Sequence, residues 1–244
     1  MNSKMSLLVI AHIYYPSGWE YLFERLLNLR EYSCNYIFNL VNRHYDKKKL
    51  VEYIRENFPN AILIESPNHG RDIGGKLAAI DVSMKLKIDS ELTLIVHDKQ
   101  SPHTPNGFIW RNELYRVIEK KELPLIFSRF EKNKKTGIIG SAKFLMNEYD
   151  FANQRFNSFS DVILRDLIKK MDLRLTDYSF IAGNIFWARS ALIRDFFSKH
   201  SPLKIRSKLE HGNILDFHKG TYIHSWERIF SWLANIYGLE ITGI

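Results

Sequence analysis

Short apolar runs alternate with stretches of helical periodicity along the first hundred residues. Met5 to Ala11, Asn35 to Val41, Ile62 to Glu65 and Leu92 to Val96 are rich in Val, Ile, Leu and Phe. They have the length and composition of buried strands. Between them, apolar side chains recur every three or four positions. Trp19, Leu22, Phe23, Leu26 and Leu29 form one stripe, behind a Ser17-Gly-Trp-Glu20 pattern that reads as a capping box. Lys47 to Asn57 reads as a second helix, and Ile73, Leu77, Ile80 and Met84 mark a third. This β-α-β-α-β-α-β order predicts an α/β protein: a mostly parallel sheet with helices on both faces.

The second half is less regular. Arg111 to Lys121 reads as helix, Thr136 to Ser141 as strand, and Ser160 to Met171 as a capped helix. Tyr178 to Arg189 reads as a strand carrying Gly183, and Ala191 to Phe197 as helix. The last helix starts near His224. Trp226, Phe230, Leu233 and Tyr237 form its stripe, and Gly238 stops it. No repeat, low-complexity segment or Pro/Ser-rich linker interrupts the chain, so residues 1–244 are read as a single domain.

Composition narrows the class. An apolar content of 45% and a charged content of 25% over 244 residues suit an ordinary globular core. No apolar run approaches the roughly 20 residues of a membrane-spanning helix. Leu7-Leu-Val-Ile10 is too short and comes too soon for a signal peptide. The single Cys34 excludes an internal disulfide and fits a reducing compartment. A net charge of +8 points to an anionic partner. The basic runs Lys47–Lys49, Lys132–Lys135 and Lys204–Lys208 are scattered and read as solvated faces. No nucleic-acid-binding motif is present, so no nucleic acid is expected. A cytoplasmic membrane face with anionic lipids is a suitable peripheral partner.

Two polar clusters follow strands. Leu92 to Val96 empties into His97-Asp-Lys-Gln-Ser-Pro-His103. In open α/β sheets, ligands sit beyond the carboxyl ends of the strands. Upstream, Pro67-Asn-His-Gly-Arg-Asp-Ile-Gly-Gly-Lys76 follows another strand and opens a helix. Asp72 reads as its N-cap. Gly70, Gly74 and Gly75 would let backbone approach a ligand. The helix N-terminus and Arg71 would favour an anion. The spacing matches neither a dinucleotide fingerprint nor a P-loop. A third group, His224 and Glu227, opens the last helix. Glu227 is read in its first turn and off the apolar stripe, placed to act as a general base.

Asn68-His-Gly-Arg-Asp-Ile-Gly-Gly75, His97-Asp-Lys-Gln-Ser-Pro-His103, Phe180-Ile-Ala-Gly-Asn-Ile-Phe-Trp-Ala-Arg189 and His224-Ser-Trp-Glu-Arg228 together resemble the rhamnan synthesis F family of bacterial surface-polysaccharide assembly. His12-Ile-Tyr-Tyr15 is similar to its opening strand end. The resemblance covers most of the chain. It implies a glycosyltransferase of GT-A-like (Rossmann-like) fold, with a donor-binding half up to about residue 105 and an acceptor-side half after it. It implies a nucleoside-diphosphate sugar donor and a lipid-linked or oligosaccharide acceptor, with the protein in the cytoplasm or on the inner membrane face. His12, Asn68, Gly70, Arg71, Asp72, Gly74, Gly75, His97, Asp98 and Lys99 would line the donor. Gly183, Asn184, Trp187 and Arg189 would flank the acceptor. Glu227 and His224 would be catalytic, with Glu227 the base of an inverting enzyme.

One departure matters. GT-A enzymes carry an Asp-x-Asp metal motif where this chain has His97-Asp98-Lys99. No second carboxylate follows, so a Mg or Mn ion would rest on Asp98, His103 and substrate phosphates. Lys99 and Arg71 are the metal-free alternative. Two other classes stay open on the residues alone. One is a basic α/β module binding anionic lipid or nucleic acid. The other is a metal-dependent hydrolase using His97, Asp98, His103 and His224.

Overall fold

The computed structural model describes residues 5–15, 17–41, 47–100, 107–214 and 219–244. The predicted alternation of the first half is present as β1 (Ser6–Ile13), α1 (Glu20–Leu26), β2 (Ser33–Val41), α2 (Lys48–Asn57), β3 (Ile62–Ser66), α3 (Arg71–Lys85) and β4 (Leu92–His97). The second half continues with α4 (Gly107–Leu114), α5 (Leu123–Lys132), β5 (Thr136–Gly140), and the two-residue strands β6 (Leu145–Met146), β7 (Tyr149–Asp150) and β8 (Arg155–Phe156). It ends with α6 (Asp161–Lys170), β9 (Phe180–Ile181), β10 (Phe186–Arg189), α7 (Ser190–Lys199), α8 (Pro202–Arg206), α9 (Tyr222–Ile236) and β11 (Glu240–Gly243).

Seven strands form one sheet in the order β11-β5-β10-β4-β1-β2-β3. All its pairs are parallel except those of β10, which runs antiparallel to both β4 and β5. The sheet is therefore mostly parallel, flanked by helices, and continuous across both halves of the chain.

Side-chain alternation sorts two cores. Leu7, Val9, Ala11, Phe38, Leu40, Leu94 and Val96 face one side and pack with α1 and α5. Leu8, Ile10, Ile37 and Ile95 face the other and pack with α3, α7 and α9. Each fully buried side chain of this kind contributes roughly 1.5–3 kcal/mol. On the second face the alternation continues past the apolar positions to His12, Asn39 and His97. The register places His12 beside both Asn39 and His97. Three polar side chains thus end the same face of three adjacent strands. No helix among the described residues is long and apolar enough to cross a membrane.

Several local expectations are corrected. The Ser17 box does not form: α1 starts at Glu20 with Trp19 as N-cap and no side-chain cap, and the Glu20 carboxylate accepts the Gly18 N–H at 3.0 Å. Ser160 does not cap α6, because its hydroxyl bonds the Thr221 backbone instead. Tyr178 to Arg189 is not one strand. Gly183 (φ 83°) and Asn184 (φ 52°) turn the chain sharply between β9 and β10. The helix expected over Arg111–Lys121 ends at Leu114 and tightens into a 3₁₀ turn at Tyr115–Ile118. Neither α5 nor β11 was marked by its own pattern strongly enough to be predicted.

Candidate functional site

A cleft of ≈ 230 Å³ opens at the carboxyl end of β4. Its wall includes Arg71 and Asp72 from α3, His97 and Lys99 from the end of β4, Gly183 from the β9–β10 turn, and His224 and Glu227 from α9. The three polar groups that are separate in sequence meet here. Trp110, Met146, Glu148, Phe180 and Arg228 also line it and are not among the residues expected there. Glu148 lies in a segment without periodicity and carries no sequence signal, whereas Arg228 belongs to the His224–Arg228 motif without a site role of its own.

The α3 side is a charged floor. α3 begins one residue before Asp72, with Gly70 as N-cap at φ 79°, so Asp72 is not the N-cap but a first-turn residue. Its carboxylate takes a hydrogen bond from Lys76 at 2.8 Å and lies 3.5 Å from His97 Nδ1. Burial alone would lift Asp72, but the Lys76 ammonium beside it holds it well below the ordinary carboxylate range. Arg71, in a left-handed conformation (φ 51°), reaches the Ile214 carbonyl. Lys99 sits 4.9 Å from the Trp110 ring centre, a cation–π contact at the cleft wall.

The two helical glycines do a different job from the one expected. A Cβ on Gly74 would lie 1.8 Å from the His69 carbonyl oxygen, and one on Gly75 would lie 1.9 Å from His12 Nδ1. They admit protein rather than ligand: α3 comes down onto the strand ends because these positions lack side chains. His12 is 2% exposed, accepts from Asn39 Nδ2 at 2.9 Å, and does not line the cleft. Burial drives its imidazole down to about 4. Asn68 donates to Asn213, and Gly70 packs against Leu209, also off the cleft wall.

Asp98 is buried and is not on the cleft wall. Its carboxylate accepts the Tyr14 N–H at 2.9 Å and the Tyr15 N–H at 2.7 Å, pinning the chain that leaves β1. Burial pushes it up to about 8, with these amides pulling the other way. A buried carboxyl already committed to backbone donors does not suit a divalent ion. Among the described residues there is no group of three or more His, Cys, Asp or Glu able to hold one. His103, the other expected ligand, lies outside the described residues. The described residues therefore do not fit a metal centre built on Asp98.

On the opposite wall, Glu227 sits in the second turn of α9, not the first. Its Oε1 accepts the Gly183 N–H at 2.7 Å, and its Oε2 accepts from Arg228 Nη1 at 3.0 Å. Arg228 is 8% exposed and also forks onto both oxygens of Glu148, at 2.8 and 2.9 Å. Such bidentate pairs fix geometry as well as charge. The first turn of α9 is closed by its own caps. Thr221 Oγ1 accepts the His224 N–H, and the Glu210 carboxylate accepts those of Tyr222 and Ile223. His224 Nδ1 lies 2.6 Å from Thr221 Oγ1.

Asn184 is 1% exposed, and its carbonyl accepts from Lys76 below the cleft. Trp187 and Arg189 lie elsewhere. Trp187 faces the opposite core and donates to the Val117 carbonyl. Arg189, at the far end of β10, ties down the Thr136 and Phe130 carbonyls. Position 187 belongs to the other face because side chains alternate along β10.

Relatives share this chain at low identity. A protein named WxcX from Xanthomonas campestris pv. campestris (strain B100) is 25% identical over 179 residues, covering 72% of this chain and 24% of its own length. The chain thus spans about a quarter of that relative. Three solved structures align over nearly the whole chain. Residues 1–349 of S. aureus TarS match with TM-score 0.47 at 12% identity, covering 95% of this chain and 55% of that one. The mannosyltransferase PcManGT from Pyrobaculum calidifontis, in complex with GDP-Man and Mn2+, matches with TM-score 0.44 at 12% identity, covering 100% and 55%. The mannosyltransferase Ktr4p from S. cerevisiae, in complex with GDP, matches with TM-score 0.40 at 9% identity, covering 97% and 69%. Over residues 1–237, from the first strand to the end of α9, the sequence matches the family described as rhamnan synthesis protein F, and the chain belongs to that family.

Proposed function

We propose that this chain is a glycosyltransferase unit that moves a hexose or deoxyhexose from a nucleoside-diphosphate sugar onto a growing bacterial surface polysaccharide. The observation that carries the reading is the cleft beyond β4, where Arg71 and Lys99 share one wall system with the doubly held carboxylate of Glu227. Membership of the rhamnan synthesis protein F family supports the polymer class. The cations suit a departing diphosphate, and a rigid carboxylate suits a base.

In this reading an acceptor hydroxyl gives its proton to Glu227. The freed oxygen attacks the anomeric carbon from the face opposite the leaving group. The bond from that carbon to the diphosphate oxygen breaks, and the nucleoside diphosphate leaves with the electron pair. Its charge falls to Arg71 and Lys99. A single displacement of this kind inverts the anomeric centre. His224, beside Glu227 on α9, would orient the acceptor. The donor's origin puts the reaction in the cytoplasm, and the net charge of +8 favours peripheral contact with anionic lipid, where a lipid-linked acceptor would be met.

Product analysis tests this. The protein is offered a panel of uridine, guanosine and deoxythymidine diphosphate sugars with lipid-linked oligosaccharide acceptors. Release of nucleoside diphosphate with growth of the acceptor by one sugar is expected for one donor. No release with any donor, together with no melting shift on adding the free nucleoside diphosphates, would sink the reading.

A further inference from the structure

Lys76 lies beneath the cleft floor and is 0% exposed. A buried ammonium is costly unless its donors are met. It has three N–H donors and no acceptor. Three partners surround it: Asp72 Oδ2 at 2.8 Å, the Asn184 carbonyl at 2.9 Å and His97 Nδ1 at 3.0 Å. These belong to the first turn of α3, the β9–β10 turn and the end of β4. One side chain joins three of the segments that build the cleft.

The contact with His97 sets that ring's chemistry. Lys76 donates only, so His97 Nδ1 must accept. The imidazole is then neutral and carries its hydrogen on Nε2. Burial and the neighbouring Lys76 charge both hold His97 well below its ordinary range, outweighing Asp72. His97 and Asp72 both line the cleft. With Nδ1 turned down to Lys76, the Nε2–H is the hydrogen left for a ligand, beside a charged carboxylate acceptor.

We infer that Lys76 is a positioning residue, which locks His97 as an Nε2–H donor and Asp72 as an acceptor so that together they grip a sugar hydroxyl of the bound donor. The hydroxyl rests on the transferase reading above; the tautomer does not.

Histidines labelled with nitrogen-15 test the tautomer in the ligand-free protein at pH 7.5, with His97 assigned by its loss in His97→Gln. The wild type is expected to show a neutral ring with hydrogen on Nε2. Lys76→Met keeps the apolar stem and removes the donors. In it the Nε2–H pattern should give way to a mixture with Nδ1–H. Donor KM should rise about tenfold or more, the worth of one charge-assisted hydrogen bond, with a smaller change in kcat. Lys76→Met strands the Asp72 charge, so the double variant Lys76→Met/Asp72→Asn removes both charges if the single one does not fold. The same loss of pattern is expected there. A wild-type His97 with hydrogen on Nδ1, or on both nitrogens, overturns the proposal without any variant. An unchanged Nε2–H pattern in a folded Lys76 variant overturns it too. A Lys76-dependent pattern in a protein that transfers no sugar would support the positioning role and defeat the transferase reading.

Discussion

Replacing Glu227 by Gln separates chemistry from architecture, provided the structural cost is counted. Glu227 accepts on both oxygens, from the Gly183 N–H and from Arg228. A Gln amide has one accepting and one donating end. In either orientation its NH₂ meets a donor, so one of the two hydrogen bonds is lost. Arg228 keeps its fork onto Glu148, which limits the damage. The loss should be about 1–2 kcal/mol, or roughly 2–8 °C in melting temperature for a chain of this size. Removing a general base lowers turnover by about 10²- to 10⁴-fold, roughly 3–5 kcal/mol in the barrier. The matched control is Glu148→Gln, which disturbs the same Arg228 without touching the base. Initial rates at saturating donor, taken well below either melting transition, should show Glu148→Gln within about tenfold of wild type and Glu227→Gln far below it. Equal losses in the two variants would refute the base assignment and leave Glu227 as part of the Arg228 clamp.

Acidification should destabilise the fold through His12. Burial holds it neutral down to about 4, while the unfolded chain takes up its proton near 6.5. Stability is therefore unaffected above that window and is lost as pH falls through it, by about 3 kcal/mol at pH 4; a urea midpoint that stays flat from pH 7 to 4 would contradict this. Gly75→Ala gains about 1 kcal/mol in helix propensity but drives a methyl into His12 and Asn39, so a net loss of roughly 1–3 kcal/mol is expected in urea melts. A neutral or stabilised variant would mean that His12 can retreat. Lys99→Ala should weaken nucleoside-diphosphate binding about tenfold at low salt, and less as salt rises, whereas Lys132→Ala on α5 should leave titration calorimetry unchanged.

What the chain declares locally, it declares well. The runs ending at Ala11, Val41, Glu65 and Val96 became the four parallel strands β1 to β4. The stripe from Trp19 to Leu29 is buried as read. Strand and helix periods depend on neighbours a few residues apart, and burial follows from them. Alternation even carried His12, Asn39 and His97 to one face, because a period of two does not distinguish apolar from polar side chains. The motif-bearing segments around Arg71 and His97 were legible because each is a polar break after an apolar strand, and Glu227 because it stands off the apolar stripe of α9.

Tertiary contacts decided the rest. Whether Gly74 and Gly75 open onto a ligand or onto protein depends on His69 and His12, which only the packing of α3 on the sheet brings near. Asp98 reads as a cleft carboxylate in sequence, yet it is spent on the amides of Tyr14 and Tyr15, more than 80 residues away. Trp187 and Arg189 follow the turn at Gly183 and Asn184, whose sharpness put them beyond the cleft. Lys76 has no local signature, since an i,i+4 partner such as Asp72 is commonplace on an exposed helix. Its meaning comes from burial, and from two partners supplied by β4 and the β9–β10 turn. Local order is written in spacing, whereas the state of a buried charge is set by groups that the fold alone makes neighbours.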